Sequence, residues 1–148
     1  MSNRAEASLA FTHHVRDHCL CLHVQRAARA LARRFDDALR SVGLTQAQFS
    51  LLTSLNRAEP PTMGAVANLL ALDRTTLTAN LKPLERRGLV KVVVDSDDRR
   101  SRRLILTAAG RASLAAAAPI WKREHARVER LLQTAGPDTM RSGLRELS

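Results

Sequence analysis

Residues 74–82 combine leucines at helical spacing with polar and basic side chains. Leu77 and Leu81 lie four residues apart and would face inward on a helix, which leaves the other side chains at its surface. Arginine can make two hydrogen bonds to guanine, threonine can contact a phosphate or a thymine methyl group, and lysine can neutralise a phosphate. This spacing therefore predicts contacts with double-stranded DNA through Arg74, Thr75, Thr76, Thr78 and Lys82.

A charged loop at residues 95–101 places three carboxylates beside two arginines. Negative charge facing a phosphate is unfavourable, so we expect Asp97 or Asp98 to orient an arginine instead. We assign Asp98 as the support of this loop, Arg100 as its tip and Arg99 as a neighbouring contact. An arginine at such a tip can enter a narrow minor groove, where negative potential is concentrated. For both segments the alternative is a charged surface that only faces solvent.

Residues 13–23 contain both cysteines and several histidines. On one continuous helix His14, His18 and Cys21 would share a face, where they could converge on Zn²⁺ or copper. Spacing does not supply a closed ligand set with its outer hydrogen bonds, so we assign no metal site. Cys19 and Cys21 would diverge on that helix, so no disulfide is expected between them. The alternatives are a thiol sensor at Cys21 and a polar helix start with one buried cysteine.

Capping and breaking signals predict the elements that carry these residues. An apolar stripe from Leu20 keeps one helix face for more than five turns, and a second stripe lies within residues 114–132. Thr45 and Gln48 have the form of a capping box that begins another helix. Glu59-Pro60-Pro61 then interrupts the chain, because a residue before proline avoids helical geometry. Both stripes are longer than a small domain can cover, which favours a two-fold dimer.

Between the stripes, the sequence predicts short helices, a tight turn and a hairpin. Thr62 and Asp73 can cap the helices, because their side-chain oxygens can accept from backbone N–H groups. The other predicted boundaries are a turn at 71–72, a helix over 74–87, and strands over 91–94 and 102–106. The predicted fold class is mainly α with a small β-hairpin wing: a winged helix-turn-helix domain with a helical dimerisation region from both termini.

Composition limits the classes of function. A chain of 148 residues with 45% apolar content can form one domain with an appended element. A net charge of +10 favours a polyanionic partner, because neutralising phosphates releases counterions. No apolar run approaches the roughly 20 residues of a membrane span, so we expect a cytoplasmic protein without a membrane partner. No phosphate-binding loop or nucleophile motif occurs, so neither an enzyme nor a cofactor is expected.

The combined motifs resemble the MarR family of bacterial regulators over nearly the whole chain. The runs that carry the resemblance are LDRTTLT at 72–78, LERRGLV at 84–90, DSDDRRS at 95–101 and LTAAG at 106–110. The resemblance implies a homodimer in which the first helix and the last two helices interlock. It also implies repression that a small ligand or oxidation relieves. Ala71 and Ala79 depart from the family, where glycine and arginine are common, which affects base preference rather than fold.

Cys21 corresponds in position to the reactive cysteine of the organic-hydroperoxide-sensing branch of this family. That branch uses tyrosines to hold and activate the thiolate, whereas Phe35 and Gln46 stand in the corresponding places here. Redox sensing by Cys21 is therefore one possibility, and inert packing of this cysteine is another. A small-molecule effector bound between the dimer region and the winged domain is the family's other route to release.

These observations predict a helical dimerisation region of residues 1–44 and 108–148, and a winged helix-turn-helix DNA-binding domain of residues 45–107. The expected function is a sequence-specific regulator of transcription, a repressor that binds a pseudo-palindromic operator as a homodimer. Its half-sites would lie about 34–36 Å apart, one turn of DNA. The alternative is a non-specific architectural nucleic-acid-binding protein, whose affinity would fall steeply with salt and show no preferred site.

Overall fold

The computed structural model describes residues 7–148, so the first six residues of the predicted dimerisation region lie outside the described residues. The described chain forms two compact units, one ending at Arg34 and the other spanning Phe35–Ser148. Each unit is presented by itself below. Across residues 7–148, none of the helices has the length and hydropathy that a bilayer-spanning segment requires.

The first unit contains α1 (Leu9–His18) and most of α2 (Leu20–Leu39). Ser8 caps α1, because its hydroxyl oxygen accepts from the N–H of Phe11 at 3.1 Å. Cys19 separates the two helices with an extended backbone, at φ −70° and ψ 109°. Its sulfur accepts from the N–H of Leu22 at 3.5 Å, and its carbonyl accepts from the N–H of His23 at 3.1 Å. Cys19 therefore caps the beginning of α2.

The second unit contains the end of α2 and the elements that follow it. After a short 3₁₀ helix (Arg40–Val42) they are α3 (Gln46–Leu55), α4 (Met63–Leu69), α5 (Arg74–Arg86), β1 (Val90–Val94), β2 (Arg102–Leu106), α6 (Ala108–Glu129) and α7 (Pro137–Glu146). The two strands pair antiparallel, with Val90 opposite Leu106 and Val94 opposite Arg102. This confirms a mainly α fold with a β-hairpin wing; β1 begins one residue earlier than predicted, and β2 has the predicted bounds.

Local signals account for the helix boundaries in this unit. The predicted capping box is present, since Thr45 and Gln48 exchange side-chain to backbone hydrogen bonds of 3.1 Å. Thr62 caps α4 by accepting from the N–H of Ala65 at 3.2 Å. Ala71, in the turn before α5, has φ 51°, a left-handed conformation that alanine adopts at an energetic cost. The predicted turn is thus confirmed without the glycine that would relax it.

The core of the second unit is built mainly of leucines from α3, α5 and the hairpin. The predicted inward positions of α5 are confirmed, because Leu77 and Leu81 are buried, and Leu84 is buried beside them. The other fully buried large side chains are Leu39, Leu51, Leu52, Val66 and Leu104. Burying one face of α5 in this way fixes which side chains remain at its surface.

The junction between the hairpin and α6 depends on close backbone approach. Thr107 caps α6 by accepting from the N–H of Gly110 at 3.0 Å, and its hydroxyl donates to the carbonyl of Gly88 at 2.7 Å. A Cβ atom at Gly110 would lie 2.2 Å from the carbonyl oxygen of Leu89. The absence of a side chain at residue 110 is therefore what allows α6 to begin against the base of the hairpin.

Candidate nucleic-acid interface

Helix α5 begins with a cap that also orients a surface residue. The Asp73 carboxylate accepts from the backbone N–H of Thr76 at 2.7 Å and from the Thr76 hydroxyl at 2.9 Å. These bonds hold the pKa of Asp73 below its usual value, with the Thr76 N–H as the largest cause. Because the Thr76 hydroxyl hydrogen is engaged, this side chain offers its methyl group and its oxygen lone pairs to a partner.

The predicted contact residues of α5 are all exposed, and four of the five, all except Thr76, share one surface. Arg74, Thr75, Thr78 and Lys82 line an open depression of about 500 Å³, the helix depression, together with Met63 and Ala79. The hydroxyl of Thr78 donates to the carbonyl of Arg74 at 2.8 Å, which leaves its methyl group for apolar contact. The geometry thus combines a guanidinium, an ammonium group and threonine methyls, a set suited to base edges and phosphates.

The loop between β1 and β2 presents Arg99 and Arg100 at the surface. Asp98 accepts from the backbone N–H of Arg100 at 2.9 Å, and its own carbonyl accepts from the N–H of Ser101 at the same distance. Asp98 therefore holds the main chain of the tip. The sequence had suggested that a carboxylate here orients an arginine, and the bond that we observe acts on the arginine's backbone.

The tip of the hairpin lies next to the beginning of α5. Asp98 and Arg100 line a second open depression of about 400 Å³, the tip depression, together with Arg74. Its other lining residues are Thr62, Gly64, Ala67 and Ser101. Arg74 belongs to both depressions, so the helix surface and the tip of the hairpin form one continuous candidate surface.

Asp95 and Arg103 form an ion pair that the sequence did not reveal. Nε of Arg103 lies 3.1 Å from Oδ1 of Asp95, which is only 5% exposed. Oδ1 also accepts from the N–H of Asp97 at 3.1 Å, and this bond, followed by that of Arg103, lowers the pKa of Asp95. From the sequence, we considered only Asp97 and Asp98 as carboxylates that support the loop. The available signal was the pair Arg102 and Arg103 at the start of the strand, ahead of its three apolar residues.

The structure changes the interpretation of the cysteine and histidine segment. His14 and His18 stack on α1 with ring centroids 4.3 Å apart, but Cys21 lies on α2. The prediction of one helix through all three residues was wrong, because Cys19 adopts an extended conformation and caps a new helix. Within residues 7–148, no group of three or more His, Cys, Asp and Glu side chains is arranged to hold a metal ion.

Cys21 is exposed, and Cys19 is half-buried. The sulfur of Cys21 accepts from Nε2 of Gln25 at 3.2 Å, and Oε1 of Gln25 accepts from Arg29 at 3.2 Å. The Cys21 thiol is therefore exposed in the single chain and is held by a neutral amide donor. Within a single copy of the described chain, Cys21 is not a buried packing residue, and its packing in a dimer stays a prediction.

An aromatic pocket of about 440 Å³ lies between α3, α4 and α6. The rings of Phe49 and Trp121 line it at a centroid distance of 6.0 Å, and His125 stacks on Trp121 at 4.5 Å. Polar groups also reach the pocket, among them Thr53 and the guanidinium-bearing Arg57. The combination of flat apolar walls and a few polar groups is typical of small-molecule sites.

Comparison with known proteins connects this architecture to a family. The MarR family model matches residues 42–101. The regulator MosR of M. tuberculosis, solved in complex with DNA, is 38% identical with a TM-score of 0.80, over 88% of this chain and 93% of MosR. The transcriptional repressor CouR, bound to a 23-mer DNA duplex, is 30% identical with a TM-score of 0.78, over 97% of this chain and 99% of CouR.

A further relative is BadR of Rhodopseudomonas palustris, described as a transcriptional activatory protein. It is 35% identical over 95 residues, which are 62% of this chain and 54% of BadR. The chain spans about half the length of the curated relatives that it matches first. The family resemblance inferred from the motifs is confirmed: this chain belongs to the MarR family of DNA-binding, winged-helix transcriptional regulators, and not to a family of enzymes.

Proposed function

We propose that this protein is a sequence-specific regulator of transcription that binds double-stranded DNA. The observation that carries the proposal is the continuous surface formed by the helix depression and the tip depression, with Arg74 in both. On such a surface α5 would contact base edges in the major groove, while Arg99 and Arg100 would contact the adjacent minor groove. The net charge of +10 and the DNA complexes of MosR and CouR support a DNA partner.

We further propose that the protein acts as a homodimer on a pseudo-palindromic operator. Both ends of the described chain expose large apolar side chains, with Leu9 71% and Leu147 63% exposed. The others include Phe11, Leu20, Leu31, Leu131 and Leu144. Covering them with a second copy would contribute about 25 cal/mol per Å² of apolar surface. In this proposal residues 1–44 and 108–148 form the dimerisation region, and residues 45–107 the DNA-binding domain.

Release from DNA is proposed to follow either ligand binding or thiol oxidation. The aromatic pocket would hold a small planar anionic ligand, with Phe49 and Trp121 against its faces and Arg57 near its charge. Alternatively the exposed sulfur of Cys21 would attack a peroxide, whose O–O bond breaks so that one oxygen forms a sulfenic acid and the other leaves as an alcohol or water. We propose that the protein is a cytoplasmic repressor. Either event would release it from its operator and so increase transcription of the regulated gene. CouR is described as a repressor and BadR as an activator, so the direction requires its own measurement.

A selection from a random library of DNA duplexes tests the proposed function. We expect the reduced protein to enrich a pseudo-palindrome and to bind it about 10³-fold or more tightly than a scrambled duplex of equal length. Recovery without any enriched motif, together with a steep loss of affinity as salt rises, would instead establish the architectural alternative. Transcription from a promoter that carries the enriched site then decides between repression and activation.

A further inference from the structure

Arg103 joins the hairpin to the segment that leads into α4. Its Nε lies 3.1 Å from Oδ1 of Asp95, at the end of β1, and its Nη1 donates to the carbonyl of Pro60 at 2.7 Å. The backbone of β2 makes a second connection in the same place. Arg103 forms an isolated antiparallel bridge with Thr62, and the N–H of Leu104 donates to the carbonyl of Pro61 at 2.9 Å.

Few side chains other than arginine could make both connections of Arg103. A guanidinium carries donors in a fixed planar fork and can serve two acceptors that lie in different directions. A lysine could serve one of them as a point charge, and a glutamine lacks both the charge and the reach. Asp95 is 5% exposed, and its lowered pKa keeps it ionised, so the pair persists at neutral pH.

The residues joined by Arg103 determine where the tip of the hairpin lies. Asp95 is the first residue of the loop that carries Arg99 and Arg100, and its backbone N–H donates to the carbonyl of Ser101 at 3.1 Å. Thr62 caps α4 and lines the tip depression with Arg100. Holding Asp95 against the residues before Thr62 therefore holds the loop against the helix-turn-helix.

We propose that Arg103 is a positioning residue that sets the distance between Arg99 and Arg100, at the tip of the hairpin, and the DNA-facing surface of α5. The proposal rests on the proposed function, because that distance matters only if the two surfaces bind one duplex. Arg103 itself is not a DNA contact in this proposal, since its guanidinium is engaged by Asp95 and Pro60. Without it the hairpin would still pair, but its tip would sample several positions, and part of the binding energy would be lost to ordering it.

The salt dependence of DNA binding distinguishes a positioning role from a phosphate contact. We expect Arg103→Gln to weaken binding to the selected site on the order of 10-fold without changing the slope of log K against log salt. Removing a phosphate contact would reduce that slope by about 1. Lys91→Gln is the matched control, because it removes one positive charge from an exposed position of β1. The control should leave site preference unchanged.

A double-mutant cycle with Arg100→Ala tests whether Arg103 acts through the tip. If it does, Arg103→Gln should cost little further affinity once the Arg100 side chain is absent. If the factors by which the two substitutions weaken DNA binding multiply in the double variant, the two residues act independently and the proposal is overturned. If Arg103→Gln does not fold, Arg103→Lys replaces it in the cycle. A small further loss of affinity would again support the proposal, and independent losses would again overturn it.

Hydrogen exchange tests the structural half of the proposal without DNA. In Arg103→Gln the amides of Asp97 and Leu104 should exchange faster, since they donate to Asp95 and Pro61. The amide of Leu81 inside α5 should be unaffected. Unchanged exchange at both sites would overturn the proposal. If the wild type selects no DNA sequence, the proposed function fails, while faster exchange would still show that Arg103 holds the hairpin in place.

Discussion

Thr76 donates its hydroxyl hydrogen to the carboxylate of Asp73 at 2.9 Å, so the residue that caps α5 also orients a residue of its exposed surface. Stability of the helix and presentation of the threonine are thereby coupled. A substitution at Asp73 changes both, whereas a substitution at Thr76 mainly changes what the surface presents.

Replacing Asp73 with asparagine should weaken the acid dependence of folding. The pKa of Asp73 is lowered in the folded chain by the N–H and the hydroxyl of Thr76. Its contribution is fully present above the usual aspartate value of 3.8 and is lost as the pH falls through the lower folded-state pKa. Asparagine remains a good cap but has no charge to protonate. Urea unfolding at neutral pH and at about pH 3 should show a smaller difference for the variant, and equal differences would refute this role.

Arg100→Ala should weaken binding to the selected site by about 1–3 kcal/mol if the tip enters the minor groove. Arg123→Ala is the control, since it removes the same charge from an exposed position of α6. Affinities are compared at the same salt concentration. If both substitutions weaken binding equally and only slightly, Arg100 is not part of the interface, and it contributes to DNA binding only through its positive charge.

Gly110→Ala should destabilise the fold by about 1–3 kcal/mol or more, because the added carbon would overlap the Leu89 carbonyl and the side chain of Leu106. Gly143→Ala is the matched control: it lies inside α7 with open space around it, and should stabilise that helix by up to about 1 kcal/mol. Denaturant unfolding of the two variants should therefore shift in opposite directions. A stable Gly110→Ala would mean that the hairpin base can move away from α6.

Cys21→Ser should abolish release by peroxide while leaving the affinity of the reduced protein unchanged. The exposed thiol is removed, but the bond from Gln25 can still be accepted by the serine oxygen. Cys19→Ser serves as the control because serine can also accept from the N–H of Leu22 and preserve the cap. DNA binding is measured before and after oxidant treatment. If the oxidised wild type binds DNA as tightly as the reduced form, Cys21 is not a sensor.

Leu144→Glu should shift the protein from dimer to monomer, because it places a charge on the apolar side of α7 that a second copy would cover. Sedimentation of wild type and variant over a range of concentrations measures this equilibrium. Arg145→Glu, which changes the charge of the adjacent residue, controls for electrostatic repulsion alone. A wild type that sediments as a monomer at high concentration would contradict the proposed assembly.

Elements set by neighbouring residues could be predicted from the sequence. The Thr45–Gln48 capping box, the Thr62 cap and the inward leucines of α5 all depend on spacings of three or four residues. The same holds for the exposure of the candidate contact residues on α5, because knowing the buried side of this helix fixes its exposed side. These predictions needed no knowledge of the rest of the fold.

Features that join distant segments could not be predicted in this way. The Arg103 side chain meets the carbonyl of Pro60, 43 positions earlier in the chain, and this contact depends on strand register and on the path into α4. The break at Cys19 was missed for another reason. A thiol is a weak acceptor, so a cysteine cap leaves no strong signal in the sequence.

Trp121 is an intrinsic fluorescent probe of the aromatic pocket. The chain contains one tryptophan and no tyrosine, so its near-ultraviolet emission comes almost entirely from this indole. The indole stacks with both Phe49 and His125 and lines the pocket, so an entering molecule would change the polarity around the indole and the quenching of its emission. Occupancy of the pocket can therefore be followed in unlabelled protein, free or on DNA, and candidate effectors can be screened before any target gene is identified.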